Sequence, residues 1–541
     1  MPDKPNLHSV GTEWKIWDLH VHTPASIVQH YGNNNDEVWE RFISDLEQLP
    51  PEVKVIGIND YWFLDGYKKV LQERKAGRLQ NLDAIFPVVE MRFNHFGGTA
   101  KQLSKINFHV IFDPDLEVDT IESQFLNSLQ AKMKLARDDD QWSGLITKDT
   151  LRDMGQRIIN SVPDDEKKYM KSPLVEGFNN LTVTQENVES ALDSSFLRGR
   201  YLIAVGKTEW ANIKWNKQSI ASKKSVISRA DLIFTAYEDT SKWLQNVNSL
   251  KEDNVNYHVI DCSDAHYFSD STEYMRIGNC LTWLKTVPTL AGLAYALEEF
   301  DRRVYVGIEP PERKRVRKNP EHFIDRIKIS SDSPENTLFD YDIPLNSGFV
   351  AVVGNKGQGK SAMLDCIALA GNSSRNKEFA FLCSSRFLSA RNKKNASNYS
   401  SKIRWVTGVE RTVQLDREHD PAFPVSVEYL PQAFVERVCS VDPSHANADD
   451  FERELRDVLF THIPEKDRAG ENSFDDLLVR ITEASNNNLS RLRTSLREIV
   501  EKYASLNRFL YSNLETDISS KIALKEREIE RAENELNIAK E

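Results

Sequence analysis

Two histidines separated by one residue close the first strand-like run of the chain. His20 and His22 lie in the segment DLHVH (18–22), and alternation along a strand would direct both imidazoles to the same side. Two imidazoles so placed can bind one divalent metal ion. Polar side chains follow later strand-like runs in the same way, and these further candidates are Asp60, Glu90, His109, Asp264 and His266. The sequence therefore predicts a mixed histidine and carboxylate site for zinc, manganese or iron.

The recurrence of histidine strengthens this prediction. A single H-x-H pair is more often a hydrogen-bonded surface feature than a ligand pair. The chain has only 12 histidines, however, and four of them fall in or just after strand-like runs. A metal site of this kind lowers the pKa of bound water and can hold a phosphate ester. The predicted chemistry is therefore hydrolysis of phosphoesters.

Seven strand-like runs would have to position these groups. They are 15–19, 53–58, 85–89, 108–112, 201–205, 232–236 and 257–260. Their alternation with helix-compatible segments predicts an α/β barrel or a doubly wound sheet. In a barrel, the carboxyl ends of the strands meet at one mouth. The long charged stretch 113–200 interrupts the series and is interpreted as a mainly helical insertion, or alternatively as a separate small helical domain.

Five ordered motifs resemble the polymerase-and-histidinol-phosphatase (PHP) family. They are DLHVHTPAS (18–26), GINDY with DGY (57–67), PVVE (87–90), FHVIF (108–112) and SDAH (263–266). The resemblance implies a distorted (β/α)7 barrel over residues 1–306, which binds up to three metal ions and uses a metal-bound water for hydrolysis. It also implies one metal site formed by His20, His22, Glu90 and Asp264. Glu90 and His109 would reach a second metal, and His266 a third.

The chain departs from the family pattern at two places. Tyr61 stands where the family usually has a histidine after the aspartate, and no histidine occurs from residue 110 to 257. Lys207 and Glu209 occupy the region where a further histidine is expected. One metal site is therefore predicted to be intact and the others reduced.

A second motif predicts nucleotide binding. It matches G-x-x-x-x-G-K-[ST], and its residues are Gly354, Asn355, Lys356, Gly357, Gln358, Gly359, Lys360 and Ser361, followed by Ala362. A predicted strand at 349–353 precedes the motif, and a helix-like segment at 362–370 follows it. Backbone N–H groups would surround the phosphates, Lys360 would reach the β and γ oxygens, and Ser361 would bind magnesium. The alternative is a glycine-rich turn without a ligand.

The surroundings of this motif resemble the first half of the ABC-type ATPases of chromosome maintenance and double-strand-break repair. PLNSG (344–348) precedes the loop, and YLPQ (429–432) and a coiled-coil pattern follow it. The resemblance implies that residues 323–472 form an N-terminal lobe that binds ATP and magnesium, with Gln432 sensing the γ-phosphate. The later family motifs are not found. A second ATPase half, or a homodimer partner, would have to complete hydrolysis.

A coiled-coil arm is predicted at 473–541. Ser473 and Asp476 resemble a capping box, and apolar residues then recur with 3-4 spacing. The two registers are Leu489, Leu492, Leu496, Ile499, Tyr503, Leu506 and Leu510, and then Ile518, Ile522, Ile529, Ala532, Leu536 and Ala539. We expect the partner helix to come from another chain or from sequence beyond an apparent truncation.

The segment PPERKRVRKNP (310–320) predicts a boundary between the two modules. We interpret 307–322 as a basic linker that is solvated rather than in contact with nucleic acid. A strand is predicted after it, at 326–329.

The overall composition sets limits on partners and compartment. The chain has 541 residues and a formal net charge of -12, so nucleic acid would have to be bound by local basic patches. Its five cysteines contain no C-x-x-C pair, and no apolar run is long enough to span a membrane. These features predict a cytoplasmic protein without disulfide bonds or membrane contact.

The combination of modules, with the segment 282–304 between them, resembles the bacterial TrlF-type proteins. It implies a nucleotide-regulated, metal-dependent phosphoesterase, a nuclease acting on DNA or RNA, in a role such as defence against phage. The alternative is an ATP-binding clamp or scaffold whose PHP domain has lost catalysis. A small-molecule phosphatase would use the same metals.

Overall fold

The computed structural model describes most of the chain. The described residues are 10–99, 102–134, 141–206, 224, 226–237, 239–331, 340–389, 396–431, 452, 455–456, 459–460, 463–511 and 514–540. The chain forms two compact units, one of residues 1–355 with 400–412 and one of 356–399 with 413–541. The division between them falls after Asn355, downstream of the segment 307–322 that was predicted to be a linker.

The first unit contains an α/β sheet that is nearly closed. Its strands are β1 Trp14–Val21, β2 Val53–Tyr61, β3 Ala84–Thr99, β4 Gln102–Phe112, β7 Tyr201–Gly206, β8 Leu232–Thr235, β9 Val259–Asp261, β10 Thr282–Lys285 and β11 Val304–Val306. A hairpin of β5 Gln130–Lys134 and β6 Gln141–Leu145 is separate from it. The helices are α1 Asp36–Glu47, α2 Asp65–Lys75, α3 Val118–Gln124, α4 Lys148–Ser161, α5 Pro173–Asn180, α6 Gln185–Leu192, α7 Ser241–Glu252, α8 Leu290–Glu298, α9 Phe300–Arg303 and α10 Pro311–Lys318.

The strand order is β11-β10-β1-β2-β3-β4-β7-β8-β9, and the end strands β9 and β11 approach each other. All seven predicted strands are confirmed. The sheet has nine strands rather than seven, because β10 and β11 add antiparallel neighbours beside β1. β4 is also antiparallel to both β3 and β7. The barrel is therefore mixed, and not every strand points its carboxyl end at the same mouth.

The stretch 113–200 contains the helices α3 to α6 and the β5–β6 hairpin, so it is only partly helical. Its apolar residues pack into the hydrophobic core of the barrel. Phe125, for example, contacts Phe112 of β4 with ring centroids 5.2 Å apart. Phe178 of α5 is fully buried in the same core. This stretch therefore helps to shape the barrel that it interrupts.

Helices α4 and α5 approach so closely that glycine is needed on both. A Cβ added to Gly155 would lie 1.8 Å from the carbonyl oxygen of Pro173, and one added to Gly177 would lie 2.0 Å from that of Leu151. These contacts are to backbone, which cannot rotate away. The two helices can therefore pack only without side chains at these positions.

We expect Gly155→Ala to lower the free energy of unfolding by about 2 kcal/mol, because the added methyl group forces the two helices apart. Urea denaturation followed by circular dichroism would measure this loss. Gln156→Ala changes the neighbouring, exposed residue of α4 and should have little effect. Equal stability of the two variants would show that the helices can separate at no cost.

The basic segment at 311–318 is a helix, α10, and not an extended linker. Glu312 accepts hydrogen bonds from Lys285 (2.6 Å) and from the indole of Trp14 (2.8 Å), and Arg313 lies 4.6 Å above the ring of Trp283. Proline at the first helical position favours a helix start, because its missing N–H would have no partner there. The prolines that suggested a linker therefore begin a helix.

A second sheet has the order β13-β12-β14-β15, with β12 Ile324–Ser331, β13 Tyr341–Pro344, β14 Tyr399–Trp405 and β15 Glu410–Gln414. It confirms the strand predicted at 326–329. The strand predicted at 349–353 is wrong: these residues form no strand, and Phe349 and Val353 are 95% and 85% exposed. A strand needs a hydrogen-bonded neighbour, and none of the described residues pairs with this segment.

The described helices of the second unit are α11 Lys360–Ala370, α12 Phe474–Tyr511 and α13 Leu514–Ile538. The hydroxyl of Ser473 accepts a hydrogen bond from the Asp476 N–H (3.1 Å), which confirms the predicted cap. The helices confirm the arm as helical, and the large apolar side chains of its two predicted registers are exposed. Its pairing with a second helix stays a prediction. No helix in the described part of the chain has both the length and the hydropathy needed to cross a bilayer.

Candidate metal centre

Six predicted ligand residues come together inside the barrel. His20 lies on β1 and His22 directly follows it, while Glu90 of β3 and His109 of β4 are direct cross-strand partners. Asp264 and His266 belong to the turn after β9. Because β4 is antiparallel to β3, His109 reaches the cluster from within its strand and not from a carboxyl end.

The turn after β9 is fixed to the end of β1 by backbone hydrogen bonds. The N–H of Ala265 donates to the carbonyl of His20 (3.2 Å), and the N–H of His22 donates to the carbonyl of Ala265 (3.0 Å). Asp264, the residue before Ala265, has a φ of 48°. This value lies in the left-handed region, which costs a non-glycine residue free energy. The strained residue is held where its carboxylate faces the histidines.

The ligand atoms converge at separations suited to a shared cation. The Nε2 atom of His20 lies 3.1 Å from Asp264 Oδ1, 3.3 Å from Glu90 Oε2 and 3.2 Å from His22 Nε2. Two ligand atoms that each bind one ion at about 2.1 Å stand roughly 3.0–3.4 Å apart. The observed spacing therefore fits common coordination without rearrangement of the strands.

Two overlapping groups of potential ligands result. One contains His20, His22 and Asp264, the other contains His20, Glu90 and His109, and within each group the ligand atoms lie within 4.8 Å of one another. The Nε2 atom of His266 lies 3.4 Å from Asp264 Oδ1. His20 is thus common to both groups, whereas the sequence predicted Glu90 as the shared ligand. Glu90 Oε2 nevertheless lies 3.5 Å from His22 Nε2 and 3.4 Å from His109 Nε2.

The charges of these groups are strongly coupled. Burial lowers the pKa of His20, but the carboxylates of Asp264 and Glu90 outweigh it and raise that pKa to about 9. Burial and the neighbouring His266 lower the pKa of His22 to about 3. Burial alone would raise the pKa values of Glu90 and Asp264, yet the adjacent imidazoles hold both well below their usual range. At neutral pH the site therefore holds two carboxylates, a neutral His22 and a protonated His20, which must release its proton when a metal ion binds.

Several buried ring nitrogens have no hydrogen-bond partner. This applies to both nitrogens of His109 and to Nδ1 of His266. Buried polar atoms are normally satisfied by protein or water. A group that binds to His109 Nε2 would remove one of these deficits, which supports the fit of a metal ion to the site.

Two asparagines, which sequence reasoning missed, orient Glu90. The amide of Asn107 donates to Glu90 Oε1 (2.8 Å) and that of Asn59 donates to Oε2 (3.1 Å). Asn107 lies two residues before His109 on β4, and alternation along a strand places both on one face. That spacing could have identified Asn107 from the sequence. Both amides hold the carboxylate in a single orientation.

We expect Asn107→Ala to weaken metal binding by about 10- to 100-fold, because residues that orient metal ligands have effects of this size. Competition with a chelator would measure the affinity. Asn81→Ala is a matched control, since the Asn81 amide also makes one hydrogen bond, to the carbonyl of Leu46, at the opposite end of β3. Equal affinities of the two variants would contradict the orienting role.

Tyr61 and Asp60 occupy different positions in the site. The ring of Tyr61 stacks on His22 at 4.7 Å, so it fills the space where the family resemblance led us to expect a histidine ligand. Asp60 accepts hydrogen bonds from the N–H (2.9 Å) and hydroxyl (2.7 Å) of Thr23, and burial raises its pKa to about 6. Asp60 belongs to neither ligand group. Its hydrogen bonds to Thr23 stabilise the loop that follows β1, and it is not positioned as a ligand of the cluster.

The predicted phosphate loop has the expected local form in part. Residues 356–359 make a turn in which Gly357 and Gly359 have φ values of 86° and 84°, and the helix predicted at 362–370 is present as α11, which begins two residues earlier, at Lys360. Backbone of this kind favours glycine, because side chains clash there. The predicted residues Gln432, Lys207 and Glu209 lie outside the described residues.

Comparisons with protein families and with curated proteins give no match. No protein-family model matches the chain, and a search of curated proteins finds no significant match. The resemblances to the PHP family, to ABC-type ATPases and to TrlF-type proteins therefore depend on the quoted motifs.

Proposed function

We propose that this protein is a nucleotide-regulated, metal-dependent phosphoesterase of the TrlF type that cleaves nucleic acid. One observation supports it most: four imidazoles and two carboxylates from distant parts of the chain converge at about 3.1–3.6 Å between ligand atoms. Such a donor set suits manganese, zinc or iron. When bound, the metal would supply an activated water and polarise the phosphoryl oxygens.

The residues of the chain have separate roles in this proposal. His20, His22, Glu90 and Asp264 would hold one cation, and His109 with Glu90 would hold a second, because a carboxylate can bridge two metals whereas an imidazole nitrogen has one lone pair. Asn59 and Asn107 fix Glu90. The rings of Tyr61 and His266 both stack on His22 and hold its imidazole in place.

The loop at 354–362 would bind ATP with magnesium, and the bound nucleotide would control the phosphoesterase. The left-handed glycines and the helix that starts at Lys360 are consistent with phosphate binding by backbone N–H groups. Completion of the ATPase would need a second half or a homodimer partner. Cytoplasmic action on DNA or RNA, including that of a phage, is the setting we propose.

Metal analysis and a cleavage assay test the proposal. The purified protein should retain about one or more transition-metal ions per chain, and with manganese it should cleave polynucleotides or a chromogenic phosphodiester. Failure to cleave either substrate faster than a variant without His20 and His22 would overturn it.

The position of Tyr61 favours one alternative. Because an aromatic ring replaces a potential ligand, the barrel could serve as a docking module in an ATP-binding scaffold. That function predicts no tightly bound metal. The metal content of the purified protein therefore separates the two proposals.

A further inference from the structure

Two cations lie on the inner face of the barrel beyond the metal ligands. Arg92 follows Glu90 by two residues on β3, and its cross-strand partner is Asn107, which contacts Glu90. Alternation therefore places Arg92 on the same face as Glu90, one strand repeat of about 6.5 Å further along. Lys105 lies two residues before Asn107 on the neighbouring strand, so it occupies the same face.

Helix α5 holds both cations in place. The guanidinium of Arg92 lies 4.2 Å from the ring centroid of Phe178 and 5.9 Å from that of Tyr61. The Nζ atom of Lys105 donates to the carbonyl of Asn179 (2.5 Å), the residue after Phe178. A flat guanidinium on an aromatic face loses little freedom when it binds, which favours affinity.

Neither cation has an acidic partner among the described residues. Most basic side chains around the barrel form ion pairs, whereas no ion pair of Arg92 or Lys105 is found in the described part of the chain. Burial, and secondly the charge of Arg92, lower the pKa of Lys105 to about 8, so the two cations repel each other. An anion between them would relieve this repulsion, and the amine of Lys105 still has two N–H groups to donate.

We propose that Arg92 and Lys105 bind a second phosphate of the substrate, next to the phosphoester held at the ligand cluster. This inference rests on the proposed function and assigns its substrate class, which is a nucleotide chain with consecutive phosphates. The distance of one strand repeat is comparable with the distance between neighbouring phosphates of a polynucleotide. A guanidinium can bind phosphate through two parallel hydrogen bonds.

Matched substrates test the proposal. The kcat/KM for the internal bond is compared between a dinucleotide that carries a terminal phosphate and the same dinucleotide without one. In the wild-type protein the terminal phosphate should raise kcat/KM about tenfold or more, through KM. In the Arg92→Gln and Lys105→Gln variants, the ratio of kcat/KM with the terminal phosphate to kcat/KM without it should fall towards one, because a group that recognises the phosphate is gone.

Three controls make the result specific. Arg152→Gln removes an exposed arginine of the insertion 113–200, which pairs with Asp149 away from Arg92 and Lys105, and should keep the full effect of the terminal phosphate on kcat/KM. Arg92→Lys keeps the positive charge but lacks the planar guanidinium group, so it should retain part of the effect of the terminal phosphate on kcat/KM. The metal content of each variant should match the wild type, since neither Arg92 nor Lys105 belongs to a ligand group.

Two outcomes would overturn the inference while the proposed function stands. One is an unchanged phosphate advantage in both glutamine variants, and the other is an equal loss with both substrates. If the wild-type protein cleaves neither substrate, the proposed function fails instead. Binding of a labelled oligonucleotide in EDTA then still tests the subsite: Arg92→Gln should weaken it about tenfold and reduce its salt dependence by about one phosphate contact.

Discussion

A protein with alanine at both His20 and His22 is expected to lose its metal and its phosphoesterase activity together. Both imidazoles contribute to the group with Asp264, and His20 also belongs to the group with Glu90 and His109. Loss of a residue that merely orients a ligand weakens metal binding about 10- to 100-fold, so loss of two ligands should exceed a thousandfold. Elemental analysis and manganese-dependent cleavage of a phosphodiester would measure both effects.

The matched control for this experiment is His258→Ala. His258 belongs to the same barrel, but it stacks on Phe300 and contacts the carbonyl of Asp231, away from the cluster. This variant should keep metal and activity.

Unfolding of the double variant must be distinguished from loss of its metal ligands, because His22 is fully buried between two rings and its removal could destabilise the protein. Manganese should raise the thermal midpoint of the wild-type protein, since a ligand that binds only the folded state stabilises it, and should leave the midpoint of the double variant unchanged. Activity or metal retained in the folded double variant would contradict the proposed site.

The fold could be predicted from the sequence where strands are long and buried on both faces. The β2 strand, Val53–Tyr61, is almost wholly buried, and its first six residues are apolar except for Lys54; such runs mark strands of a covered sheet. β10 and β11 were missed although they are as long as β8 and β9, which were predicted, so strand length does not explain the difference. Phe349 and Val353 show the opposite error: their apolar character predicted a strand, but a strand also requires a partner.

The residues of the candidate site could be predicted from the sequence, because a histidine or a carboxylate can be recognised as a possible ligand one residue at a time. Their arrangement depends on strand direction, which no local pattern reports. The antiparallel β4 brings His109 opposite Glu90, and that pairing makes Asn107 an orienting residue. Phe178 comes from an insertion far along the chain, so only the folded structure shows that it borders Arg92.

Replacement of Lys360 by alanine is expected to weaken nucleotide binding by one to two orders of magnitude. Lys360 begins α11 directly after Gly359, whose left-handed backbone turns the chain into the helix. In the proposed phosphate loop its ammonium contacts the β and γ phosphates, and a hydrogen bond to a charged group contributes about 1.5–3 kcal/mol. The dissociation constant for ATP should therefore rise roughly 10- to 150-fold.

Titration of a fluorescent ATP analogue, with and without magnesium, would measure this change. Lys377→Ala is the control, because Lys377 is an exposed lysine of the same unit outside the motif, and its removal should not alter affinity. Magnesium should strengthen binding to the wild-type protein through Ser361 and have less effect once Lys360 is absent, since the phosphates are then no longer held in place. Equal affinity of the two lysine variants would mean that residues 354–361 form a glycine-rich turn without a ligand. The proposal that nucleotide binding at this loop controls the phosphoesterase would then be wrong.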